Sequence, residues 1–298
     1  MTDAYVVHGD LPQLDRPVLV TAFEGWIDAS GAAAAAMRAL IAALDVRTIA
    51  TFDGDSFIDF RARRPVMELR EGVNTRLAWT DIEVGVGRTA GGIDVVTLTG
   101  PEPDMRWHAF ARSVTALATQ LGVHQMVALG AYPFATPHTR PPRISVTSPS
   151  REVVDGLPYL RSSLDAPAGM TAALEHSFTG AGVTALGLWV QVPHYVSAMP
   201  FPRSSMVLLD ALAAVTGVAV DTDRLAGEAD DHERRIDRLV AANDDHVAML
   251  RQLEQAYDAL TDLTGGGSTG RELPAGPLPS GDDLAAEIER FLREQGGS

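Results

Sequence analysis

The sequence predicts an α/β fold, and three observations carry that prediction. Residues 17–22 are an apolar run, 32–44 an alanine-rich helical stretch and 46–52 a second apolar run, which together make a β-α-β pattern. Residues 170–178 read as a helix and 183–190 as the strand that follows it. Between these units, the apolar run that starts at His124 and ends at Gly130 reads as a buried strand. The stretch after Gly130 cannot continue a regular element. Pro133, Pro137, Pro141 and Pro142 fix φ, remove backbone donors and restrict the residues before them. A stiff loop is therefore expected to carry His138, Thr139 and Arg140 at the end of a core strand, and 144–147 restarts an extended pattern.

The remaining elements follow in order. Residues 23–31 form the turn after the first strand, where Asp28 and Ser30 are both good caps for the helix at 32–44. The polar, aromatic stretch 53–65 reads as a loop or a very short helix. Strands are expected at 73–79, 82–86 and 93–99, the last two as a hairpin across Gly85–Gly92. A helix over 104–121 has Pro101 and Pro103 just before it and Gly122 just after. Residues 149–168 are rich in proline and serine and read as irregular. A second proline-stiffened loop covers 191–202, and a helix over 204–216 closes at Gly217. The composition changes near Asp221. Ile236, Leu239, Val240, Val247, Leu250, Leu253, Tyr257 and Leu260 then recur at steps of three and four, which predicts one long amphipathic helix over 222–263. Residues 264–281 read as a flexible linker and 283–293 as a short final helix. The expected organisation is an α/β domain over 1–220, a helical appendage over 221–263 and a tail over 264–298.

Composition narrows the function. At 298 residues and 46% hydrophobic, the chain can build a sizeable core. A formal charge of −15 argues against nucleic acid and against anionic membranes, both of which need clustered cations. The acidity is uneven: from Asp221 onward 18 acids face 8 arginines, net −10, whereas 1–220 carries 21 acids and 16 arginines, net −5. There is no cysteine, so no disulfide, thiolate nucleophile or cysteine-held metal. There is no lysine either, which removes Schiff-base chemistry and the P-loop lysine. No secretory leader pattern opens the chain and no run reaches transmembrane length, so a cytoplasmic protein is expected.

Candidate site residues come from the strand ends. If the strands near 20, 127 and 186 are parallel, their following loops share the carboxyl edge of the sheet, where open α/β sheets bind ligands. That would gather Glu24, Asp28, His138, Arg140, His194 and Tyr195 at one rim. Carboxylate, imidazole and guanidinium in one cleft can do acid–base work or hold an anion. The plainer alternative is that Asp28 caps a helix, Arg140 pairs with a carboxylate and the histidines satisfy loop carbonyls. Asp53, Asp55 and Asp59 are secondary candidates, but their spacing fails the EF-hand template and loop carboxylates facing Arg61, Arg63 or Arg64 are the simpler reading. Gly85-Val-Gly-Arg-Thr-Ala90 matches a dinucleotide fingerprint on paper, yet strand-like residues follow where a helix is required. No nucleophile elbow and no His-Glu-x-x-His is present. No catalytic residue, metal or cofactor is assigned.

Four ordered motifs carry a family resemblance: Phe23-Glu-Gly-Trp-Ile-Asp-Ala-Ser-Gly31, the run Asp53-Gly-Asp-Ser-Phe-Ile-Asp-Phe-Arg-Ala-Arg-Arg-Pro65, the loop Pro137-His-Thr-Arg-Pro141 with Ser145-Val-Thr-Ser148 beyond it, and Trp189-Val-Gln-Val-Pro-His-Tyr-Val196. Spanning about residues 17–202, they resemble the proteasome-assembly-chaperone family 2 (PAC2) in its actinobacterial branch. The resemblance implies a three-layer α/β/α domain with a mostly parallel, mixed sheet, similar to the phosphorylase/hydrolase-like fold, followed by a small helical appendage. It implies a chaperone-like function through protein–protein contact, self-association into a homo-oligomer, a protein partner of proteasome type, and no established catalytic residues. Some archaeal relatives dock on the proteasome ring through a C-terminal hydrophobic-Tyr-x tail. The sequence here ends Arg293-Glu-Gln-Gly-Gly-Ser298, which points away from that route. The alternative is an enzyme or small-ligand binder, hydrolase- or ligase-like, using the carboxyl-edge cleft.

Overall fold

A computed structural model describes residues 4–25 and 27–263. The expected linker and final helix at 264–298 lie outside the described residues. The strands are β1 (Tyr5–Val7), β2 (Val18–Glu24), β3 (Arg47–Phe52), β4 (Val66–Arg70), β5 (Val73–Ala78), β6 (Glu83–Arg88), β7 (Asp94–Pro101), β8 (Gln125–Phe134), β9 (Ile144–Thr147) and β10 (Thr184–Pro193). The helices are α1 (Ala32–Ala43), α2 (Gly54–Phe57), α3 (Trp107–Gln120), α4 (Arg151–Asp155), α5 (Met170–Gly180), α6 (Pro202–Thr216), α7 (Asp223–Ala241) and α8 (Asp244–Leu263).

Eight strands form one mixed sheet in the order β1-β3-β6-β7-β2-β8-β10-β9. The centre, β7-β2-β8-β10, is parallel, and antiparallel pairs flank it on both sides. The parallel strands read as continuous apolar runs because both their faces are covered. Alternation along β2 sends Val18, Val20 and Ala22 into one core with Met37 and Leu40 of α1 and Leu208 and Leu212 of α6. It sends Leu19 and Phe23 into the opposite core with Phe110 and Leu117 of α3 and Leu174 and Phe178 of α5. The result is the three-layer α/β/α arrangement. Within the second core Phe23, Phe52, Phe57 and Phe110 contact one another with ring centroids 4.7 to 6.1 Å apart. Edge-to-face pairs of this kind add about 0.5–1.5 kcal/mol each beyond burial, and they pin α2 to the sheet.

Several elements differ from the sequence expectation. The core strand does not end at Gly130: β8 runs on through Pro133, whose register partner on β10 is Val192. The ladder with β2 stops at Thr21↔Ala128 and only the isolated Asp28↔Ala131 bridge follows it, so at Pro133 β8 has an unladdered side where a missing N–H is tolerated. A strand at 66–70, a stretch to which the sequence assigned no element, pairs with β5. In the stretch read as irregular, Arg151–Asp155 is helical, and Leu160 bridges Ser145. The single long helix is two. Asn243 interrupts it, and its side chain accepts the Asp245 N–H at 2.9 Å, so it caps α8. The β6–β7 hairpin is present, with its turn confined to 89–93. Its glycines serve packing: a Cβ on Gly85 would lie 2.4 Å from Val46 Cγ1, and one on Gly87 2.8 Å from the Leu44 carbonyl.

Helix α7 lies against α6. Ala229, Ile236 and Val240 are buried, and the last two join the α1/α6 core. Arg203 on α6 donates to Glu233 at 2.7 Å and to Asp230 at 3.2 Å. No described helix is long and apolar enough to cross a membrane.

Candidate functional site

Strands β2, β8 and β10 run parallel, so the loops at 25–31, 135–143 and 194–201 all leave the same edge of the sheet. Backbone contacts tie these loops together. Asp28 bridges Ala131 of β8, and the Ser30 N–H donates to the Ser197 carbonyl at 2.6 Å. Ser30 itself has φ 59° and Gly31 φ 64°, two successive left-handed residues that turn the chain into α1.

His138 is buried at 4% exposure, with partners at both ring nitrogens. Its Nδ1 lies 2.6 Å from the Tyr195 hydroxyl, which also accepts the His138 backbone N–H at 2.7 Å. Its Nε2 lies 3.0 Å from Asp237 Oδ1 on α7. Burial holds the Tyr195 phenol well above its usual range, and the carboxylates of Glu254 and Asp237 push the same way. The ring of His194 packs edge-on against Tyr195 at 5.4 Å, and its Nδ1 is buried with no hydrogen-bond partner.

Arg140 faces α8. Its Nε and Nη2 donate to the two oxygens of Asp258, both at 2.8 Å, and its Nη1 donates to Glu254 at 3.2 Å. The hydrogen bonds to Asp258 raise the guanidinium above its ordinary value and lower the Asp258 carboxyl below its own. The Thr139 hydroxyl donates to the same Glu254 at 2.5 Å. Arg143, two prolines further on, sits 3.9 Å above the Tyr257 ring and donates to Thr261 Oγ1 at 2.6 Å. The Tyr257 hydroxyl donates to the Pro141 carbonyl at 2.9 Å. The proline loop is thus held along its length by α7 and α8.

The other predicted residues are placed as follows. The Asp28 carboxylate accepts the N–H groups of Ala33 and Ala34 at 2.8 and 2.9 Å, and burial outweighs those bonds to raise its pKa. Glu24 ends β2 exposed, its carbonyl accepting the Glu102 N–H. Asp53 accepts the Ser56 hydroxyl at 2.6 Å, Asp59 accepts the Arg61 N–H at 2.9 Å, and Asp55 is exposed in α2. The expected arginine partners differ: Arg63 pairs with Asp104. His138, Tyr195 and His194 are therefore brought together, Arg140 turns to α8, and Asp28 turns to α1. Sequence reasoning missed Asp237, Glu254, Asp258 and Tyr257, which meet the loop from about a hundred residues away. The one-turn spacing of the acids Glu254 and Asp258 on α8 was the available signal.

A second polar cluster occupies the α3/α5 face near β9. Tyr132 contacts Ser145 at 2.7 Å and accepts from Gln191 at 3.1 Å. The Trp189 indole donates to Thr147, whose hydroxyl donates to Glu175, each at 2.9 Å. Glu175 is 4% exposed, and burial pushes its carboxyl up to about 7.

Known proteins share this fold. The family model for the PAC2 family matches residues 22–240. A solved Mycobacterium tuberculosis protein of unknown function, Rv2714, is 32% identical and superposes with a TM-score of 0.81, covering 91% of this chain and 94% of its own. Rv2125 of the same organism, described as a proteasome-assembly chaperone homologue, is 33% identical with a TM-score of 0.73, covering 79% of this chain and 99% of its own. Pyrococcus furiosus PbaB, described as an archaeal proteasome activator, shares the fold at 14% identity and a TM-score of 0.61, covering 79% of this chain and 97% of its own. No curated protein matches. With the four sequence motifs placed on the three loop-bearing strands and on the α2 corner of this sheet, and with the family model covering more than half of its length, the chain belongs to the PAC2 family.

Proposed function

We propose that this protein acts by protein–protein contact, as a cytoplasmic, homo-oligomeric, chaperone-like factor whose partner is of proteasome type. One observation carries the reading. Two of the side chains suited to chemistry at the carboxyl edge are engaged within the chain: both ring nitrogens of His138 have partners, and Arg140 is bidentate to Asp258. A general base needs a lone pair within reach of substrate, and an anion site needs an unpaired cation. Neither His138 nor Arg140 offers one while α7 and α8 are docked. The description of Rv2125 as a proteasome-assembly chaperone homologue supports the same reading.

The test is capture. Immobilised full-length protein is exposed to separately purified proteasome α- and β-subunits, and ring formation is followed by native gel. Retention of one subunit class, or faster ring formation, is expected. No retention at tens of micromolar would overturn the partner assignment.

A further inference from the structure

Strands β4 and β5 form a sheet of their own, antiparallel, with Met67 opposite Leu77 and Glu68 opposite Arg76. Alternation places Leu69 on the face of Met67, and Trp79 on the face of Leu77. All four are open to solvent, with 51%, 49%, 43% and 49% exposure for Met67, Leu69, Leu77 and Trp79. The opposite face carries Glu68, 3.7 Å from both Arg70 and Arg76, together with the exposed Val66 and Val73. Among the described residues the arm meets the body at its base, where the Trp79 ring meets Phe60 at 4.7 Å and Arg63 pairs with Asp104 at 3.2 Å. A lone two-stranded hairpin is marginal in water, and single exposed apolar residues are ordinary. Four on one face of a projecting arm form a contiguous patch of the kind that marks an interface.

Charge decides what covers it. Residues 60–79 hold five arginines and two glutamates, net +3, in a chain whose total is −15, which leaves −18 for the remainder. Arg61 and Arg64 are exposed at the arm's base. Opposite charge draws the arm to the body of a second copy, while like charge disfavours arm against arm. We infer that the β4–β5 arm is a self-association surface, its Met67/Leu69/Leu77/Trp79 face buried on the acidic body of a second copy. The contact is heterologous, so each copy both gives an arm and receives one. The inference rests on the homo-oligomer reading above and assigns the surface that makes the oligomer.

The test uses the full chain and two variants, Met67→Asp/Leu77→Asp and Arg61→Glu/Arg64→Glu, with mass from light scattering during gel filtration and folding from circular dichroism. The wild type is expected at a multiple of 31.7 kDa. The aspartate pair, central to the apolar face, should weaken association at least about a hundredfold and leave single-chain mass, with an unchanged melt. The glutamate pair should weaken it about tenfold at low salt and less at high salt. Wild-type mass in both variants would overturn the arm while leaving the homo-oligomer reading intact. A wild type of single-chain mass at all concentrations would overturn both, and leave proteasome-subunit capture as a separate question.

Discussion

The hydroxyl of Tyr195 serves His138 twice, at 2.7 Å from the backbone nitrogen and 2.6 Å from Nδ1 of the same residue. One oxygen on the loop after β10 therefore fixes both the backbone and the ring of a residue on the loop after β8. With the imidazole proton on Nε2, facing Asp237 at 3.0 Å, Nδ1 is left to accept the phenol proton.

Tyr195→Phe removes that oxygen and leaves a buried N–H and a buried ring nitrogen without partners. Unmet buried groups cost about 1–3 kcal/mol each. A drop of that order in unfolding free energy is expected from urea titration. A change below about 0.5 kcal/mol would show that the two loops are held by other contacts.

Arg140→Glu sets a carboxylate against Asp258 and Glu254. Because Arg140 anchors α8 while α7 is anchored separately through Ile236, Val240 and Arg203, the effect should be local. Amide hydrogen exchange over 244–263 should accelerate, with the amides of β2, β8 and β10 unchanged. Uniform acceleration across the sheet would contradict the division of labour between the two helices.

Glu175 predicts a pH dependence. Its folded pKa of about 7 stands above the ordinary 4.5, so between those values the folded protein holds a proton that the unfolded chain releases. Stability from this group is fully present below about pH 4.5 and is lost as pH rises to about 7. Glu175→Gln removes the loss. The variant should match the wild type near pH 4 and exceed it by about 2–3 kcal/mol at pH 8, read as a shift in urea midpoint. Equal midpoints at pH 8 would contradict the burial effect.

Gly130→Ala tests the packing of β8 on β10. A Cβ there would stand 2.3 Å from the Trp189 ring, directly across the ladder. Overpacking of this kind costs about 1–3 kcal/mol. In a Trp189→Leu background the cost should shrink, giving a coupling in the double-mutant cycle. Additive costs would place the clash elsewhere.

Much of the fold was legible because its elements carry local signals. The β2-α1-β3 unit, the helix before β8 and the β6–β7 hairpin each follow from periodicity and from their flanking glycines and prolines. Asp28 as a helix cap was legible for the same reason, being only five residues from Ala33. The strand through Pro133 was not, because a proline's tolerance depends on which side of the strand carries a ladder. The break at Asn243 was written in Asn-Asp-Asp, a capping sequence outweighed by an apolar rhythm that continues across it.

By itself the sequence determined the α/β pattern and the proline-stiffened loops that follow its core strands, since backbone stereochemistry and hydrophobic period are local properties of the chain, whereas the parallel pairing of those strands came from the tertiary structure. Only the tertiary structure decided what those loops contact. The carboxylate partners of His138 and Arg140 lie on helices about a hundred residues downstream, and the pairing follows from how α7 packs on α6, which depends on buried surfaces that no single segment specifies.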